Sequence, residues 1–156
     1  MISILYILIP ILIAFLINIK MYRKDSNTME DIDIRYLPPG YIIGVVWIIM
    51  LALMGYVLYL LSLKFKSESL RNSLYVNFNY QIFLILFLII FCVMYPYLTS
   101  LFNERFMKNY NYLTIFVVLY IFFEINKISF DISKYLIPLI LWVGYVSLVT
   151  LISEFY

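Results

Sequence analysis

The chain contains no histidine and a single cysteine, Cys92. The lack of histidine removes imidazole as general base, zinc ligand or axial haem ligand, and with it serine–histidine and cysteine–histidine catalysis. A lone cysteine can close no internal disulfide and build no multi-thiolate metal site, and no metal is expected. Cys92 stands in an apolar run, where a packed, inert thiol is expected. Glu124 and Lys127 are the charged residues that interrupt an otherwise apolar stretch. Their spacing of three predicts an interfacial ion pair rather than a proton-carrying carboxylate. What remains for chemistry is aromatic: two tryptophans, Trp47 and Trp142, among 16 tyrosines and 13 phenylalanines.

Trp47 belongs to a stripe. Gly44, Trp47, Leu51, Met54, Gly55 and Leu58 recur at spacings of three and four, so a helix places them along one side, with Ile42, Ile49, Leu53 and Leu60 mostly elsewhere. Small residues in an apolar helix mark close approach of a neighbour, and an inward indole needs an acceptor for its N–H or room around it. Two readings stay open: Gly44 and Gly55 admit a neighbour with Trp47 filling the gap, or the stripe is a cavity wall. Around Trp142, the residues Pro138, Trp142, Tyr145 and Val149 share a helical face in the same way.

The elements that must position these rings follow from composition. At 65% hydrophobic and 13% charged, the 156 residues lie far outside the soluble globular range. The net charge of +2 offers nothing to nucleic acid. Pro38 and Pro39 open a helix near Gly40, because a proline in the first turn loses no hydrogen bond. From there to Leu63 no residue is charged, longer than the roughly 20 residues that span a bilayer. Four further runs complete an all-α integral membrane protein, with spans at 2–19, 40–63, 80–102, 112–130 and 135–153. The first lacks the basic flank and small-residue cleavage site of a signal peptide and is expected to be retained. Pro10 and Pro96 are expected to bend the first and third spans. The fourth must run on toward Phe130, since Tyr112–Phe123 alone is too short. Lysine and arginine divide six against five between the two sides, so orientation and host membrane stay open.

All four glycines, both tryptophans and three of five prolines fall in two blocks, Pro38–Tyr59 and Pro138–Thr150. The first block resembles the second helix of the TspO/MBR family, the tryptophan-rich sensory proteins and mitochondrial translocator proteins. Pro38, Pro39, Gly44, Val46, Trp47, Met54, Gly55 and Tyr59 match its pattern. The second block is similar to the family's fifth helix, with Pro138 and Trp142 matching and Tyr145 standing for a phenylalanine. Tyr41, Ile43, Leu51 and Thr150 depart from the pattern, and the third helix lacks its asparagine and tryptophan. The chain is therefore identified as a divergent member.

That resemblance implies a single TspO-like five-helix membrane domain over residues 1–156, in which the faces of spans two and five look into one pocket beneath the first loop. It implies a flat hydrophobic ligand, a porphyrin or haem-type tetrapyrrole. A sterol is the weaker expectation, because no basic residue follows Tyr145. Trp47 and Trp142 would be walls and Tyr41 the mouth, with Pro38, Pro39, Gly44, Leu51, Pro138 and Tyr145 completing the lining. No cofactor is required, and without histidine a haem would be held by stacking and shape. Some members are associated with light-dependent porphyrin breakdown, which does not follow from these residues. The expected partners are the lipid bilayer and a hydrophobic small molecule, not nucleic acid, with a homodimer left open. The rival reading is a membrane scaffold or partner subunit whose aromatic stripes only pack helices.

Overall fold

The computed structural model describes residues 2–22, 38, 40–68, 75–101 and 104–152. Its helices are α1 (Ile2–Tyr22), α2 (Gly40–Glu68), α3 (Tyr75–Leu101), α4 (Glu104–Asn126), α5 (Phe130–Ser133) and α6 (Ile137–Ile152). A 3-10 turn, Lys134–Leu136, joins α5 to α6 without a break, so the described residues make five rods. No strand occurs among the described residues. The protein is an all-helical bundle of the membrane type. Ile42–Ser67 in α2 and Phe130–Ile152 across α5 and α6 are each long and apolar enough to cross a bilayer, and shorter apolar stretches lie at Ile4–Ile17 and Asn79–Tyr95.

The outer surface is as apolar as the core. Leu16 is 64% exposed, Phe83 63%, Phe116 70% and Leu141 68%, and every long helix contributes more such residues. Water would penalise a contiguous apolar surface of this extent, whereas acyl chains are as apolar as leucine. Inside, Met54, Leu61, Ile85, Leu88, Ile121 and Leu136 are fully buried. Helix α1 packs on α2 and α3, α2 on α3, α3 on α4, and α4 on α6; α5 and the 3-10 turn close the ring onto α2.

The α1–α2 contact turns on one glycine. A Cβ on Gly55 would collide with the carbonyl oxygen of Tyr6 and stand 3.0 Å from the Ile7 Cα. Pro10, which is buried inside α1, has no N–H to give the carbonyl four residues back, and that carbonyl is Tyr6's. The Gly55 Cα therefore approaches an oxygen that α1 leaves short of a donor, in position for a Cα–H···O contact. Pro96 in α3 deprives Cys92 in the same way, and one residue earlier the Tyr110 hydroxyl donates to the Phe91 carbonyl at 2.7 Å. Both helices run on through their prolines.

Three expectations are corrected. Gly44 admits no neighbour: it is exposed, and a Cβ there would meet nothing within 4 Å. The rest of the α2 stripe is buried or half-buried as its spacing predicts. On α6 the buried residues are Leu139, Val143, Ser147, Val149 and Thr150: of the predicted Pro138–Trp142–Tyr145–Val149 stripe, Val149 is buried and Trp142 half-buried, whereas Pro138 and Tyr145 are exposed. In lipid the hydroxyls of Ser147 and Thr150 choose the inward side, because aliphatic residues are equally at home on either. Finally, α4 ends at Asn126 and gains its length at the other end, where Glu104, Arg105 and Lys108 form its first turns. Straight-chain charged residues are good helix formers, and here they extend a helix rather than interrupt it.

Candidate functional site

At the α4–α5 connection the backbone amides of Ile128 and Ser129 both return to the Ile125 carbonyl at 3.0 Å, which ends α4. Lys64 of α2 reaches across to the Ile128 carbonyl at 3.1 Å. The predicted pair forms here, Lys127 to Glu124 at 2.5 Å, with Lys134 to Asp131 at 3.0 Å beside it. This end of the bundle carries two ion pairs, Glu124 with Lys127 and Asp131 with Lys134. Among the described residues no group of three or more metal-binding side chains stands together.

Both tryptophans lie further from this end, among other aromatic groups. Trp47 of α2 is half-buried and stacks on Tyr95 of α3, centroids 6.0 Å apart and planes at 28°. Tyr95 meets Tyr110 of α4 at 5.4 Å, and Tyr110 lies flat on Phe91 at 4.4 Å and 9°. Phe87 continues the row at 5.8 Å from Phe91. The spacing of four between Phe87, Phe91 and Tyr95 puts them on one face of α3, a signal that a reading built on the tryptophan stripes misses.

Trp142 of α6 is half-buried beside Tyr145, with centroids 5.9 Å apart. Its indole Nε1 is buried and has no hydrogen-bond partner. The depth of the two tryptophans follows from the contact of Tyr56 of α2 with Tyr135 of the 3-10 turn, an edge-to-face pair at 5.0 Å. Trp47 stands ~13 Å along α2 from Tyr56, and Trp142 ~11 Å along α6 from Tyr135, since each residue rises about 1.5 Å. With the two helices antiparallel, both indoles lie at nearly the same level. Trp142 is one heptad beyond Tyr135 and so shares the edge of α6 that looks toward α2. Contact between α2 and α6 is sparse along their lengths.

Depth is shared but ring contact is not. Trp47 turns to α3, and among the described residues no ring contact joins it to Trp142. Leu51 lies in the core at 4% exposure, while Gly44, Pro138 and Tyr145 are exposed and Pro38 is half-buried. Pro39 and the side chain of Tyr41 lie outside the described residues. Several inward polar groups escape a reading based on aromatic stripes: Gln81, Asn111, Thr114, Ser147 and Thr150 are buried. Their signal is a polar side chain in an apolar run, which lipid drives inward.

A model of the TspO/MBR family matches residues 6–153. No curated protein and no solved structure matches the chain.

Proposed function

Because the chain belongs to the TspO/MBR family, we propose that it crosses the membrane with all five rods and binds a flat hydrophobic ligand of the porphyrin or haem type between α2 and α6. Trp142 carries this reading. A buried indole N–H without an acceptor is destabilising by about 1–3 kcal/mol, and a ligand carbonyl, carboxylate or imine nitrogen at that edge would satisfy it. Indole and phenol faces suit a planar ligand, with Trp47 and Trp142 at one depth as its walls and Tyr145 beside Trp142. Pro38, Pro39 and Tyr41 would form the entrance, Gly44 and Pro138 its rim, and Leu51 the floor behind Trp47. A sterol fits less well, since no basic residue lies at the short spacing after Tyr145 that the sterol pattern requires.

The stack of Trp47 on Tyr95 favours a second reading, in which the aromatic groups only pack helices and the protein is a scaffold or partner subunit. Titration of the detergent-solubilised protein with protoporphyrin IX separates the two. Saturable quenching of tryptophan fluorescence at equimolar ligand is expected. Quenching that rises linearly, as free porphyrin gives, rejects the ligand site.

A further inference from the structure

We propose that Tyr112 and Ser147 are positioning residues for Trp142: their hydroxyls pair across the α4–α6 seam and set the rotation of α6 about its own axis. Ser147 is only 4% exposed, and neither its Oγ nor the buried hydroxyl of Tyr112 has a partner in the arrangement described. Other hydroxyls in these helices return to a carbonyl one turn back, as Ser62 does to Leu58 at 2.8 Å, Thr114 to Tyr110 at 2.7 Å and Thr150 to Val146 at 2.7 Å. Ser147 keeps its proton for something else. In a seam of low dielectric an unpaired hydroxyl is destabilising, and two of them at one level destabilise together what a single bond would relieve.

The register supplies that level. The Ser133 hydroxyl of α5 lies 3.2 Å from the Asn126 Oδ1 of α4, sharing its proton between that oxygen and the Phe130 carbonyl at the same distance, and this bond marks where the antiparallel seam begins. Tyr112 lies two heptads before Asn126, and Ser147 two heptads after Ser133. Both are about 21 Å from that bond and close to the same helical face as their starting residue. The face of Tyr112 is confirmed from its neighbour. Tyr110 is turned to α3, where it stacks on Phe91. Two residues further on, about 200° round the helix, Tyr112 is turned away from α3, to the side where Asn126 meets α5.

Trp142 is coupled to this pair by α6 itself. Ser147 and Trp142 are about 140° apart on the helix. Ser147 therefore occupies the edge toward α4 while Trp142, with Tyr135, occupies the edge toward α2. Among the long helices α6 packs along α4 and touches α2 only sparsely, so rotation about its axis meets little resistance on the α2 side. A rotation that brings Ser147 to Tyr112 swings the indole of Trp142. That the swing serves a ligand rests on the preceding reading; the rotation does not.

The test uses the full chain labelled with 5-fluorotryptophan, the Trp142 resonance being the one that Trp142→Phe removes. Ser147→Ala and Tyr112→Phe should move that resonance in the same direction, the double variant should move it no further, and Ser147→Thr, which restores a hydroxyl, should return it toward wild type. Melting temperatures of the same set should show the same non-additivity. An unmoved resonance in both single variants, or a double variant equal to the sum of the singles, overturns the proposal. With protoporphyrin IX, Ser147→Ala should weaken binding about fivefold, as a population shift away from the competent rotation would. If wild type binds no protoporphyrin IX, the ligand reading fails alone and the resonance still decides the rotation.

Discussion

A methyl group at Gly55 has no space, and one at Gly44 has nothing to touch. Gly55→Ala forces the backbones of α1 and α2 apart and should destabilise the bundle by about 1–3 kcal/mol, read as a lower melting temperature in detergent. Gly44→Ala should be neutral or slightly stabilising, by up to about 1 kcal/mol, since it relieves a helix of a glycine without a steric penalty. The two tryptophans should also separate. Trp47→Phe shrinks the ring stacked on Tyr95, losing part of a contact worth about 0.5–1.5 kcal/mol, and should melt slightly earlier with no ligand present. Trp142→Phe removes an unpaired buried donor and should leave stability unchanged or raised. Both should weaken porphyrin binding, roughly fivefold for a loss of about 1 kcal/mol. Unchanged affinity in both variants would reject these residues as site walls.

Among the elements, α3 and α4 are joined where α3 is weakest. Pro96 withholds a donor from the Cys92 carbonyl, and the Tyr110 hydroxyl bonds the adjacent Phe91 carbonyl while its ring covers the Phe91 ring. Tyr110→Phe keeps the stack and removes the bond, so a loss of about 1 kcal/mol is expected. Tyr110→Leu removes both and should cost more. Equal melting temperatures for Tyr110→Phe and wild type would show that the hydroxyl contributes nothing at the proline. The element hardest to orient from its sequence is α6. Its aliphatic residues give no preference between neighbour and lipid, and only Ser147 and Thr150 reveal the inward side.

For the whole molecule, the exposed apolar surface and the charged turn between α4 and α5 set where lipid stops. Leu16 and Leu141 are on the apolar flank, and Lys127, whose side chain is 67% exposed, marks the turn between α4 and α5. In proteoliposomes permeabilised so that both faces are open, a water-soluble maleimide should label Lys127→Cys and spare Leu16→Cys and Leu141→Cys. Labelling of the last two at the rate of the first would put those flanks in water. The buried Cys92 provides the unlabelled background.

The sequence alone determined the helices, their number and their medium. An uncharged run longer than a bilayer is thick, as from Gly40 to Leu63, leaves no other way to satisfy backbone hydrogen bonds in an apolar solvent. Two blocks of glycine, proline and tryptophan also sufficed to reveal the family, and a spacing of three sufficed to pair Glu124 with Lys127. Which way each helix faces was legible on α2, where large and small residues alternate with the turn, but not on α6. Gly44 and Gly55 look alike in the chain, and only the path of α1 past Tyr6 made one indispensable and the other idle. Likewise, Trp47 and Trp142 match as a pair in sequence, yet packing gives the first to Tyr95 and leaves the second's N–H without an acceptor. Lipid contributes no hydrophobic force between helices, so the partner of each ring is fixed by shape and hydrogen bonding among neighbours distant in the chain.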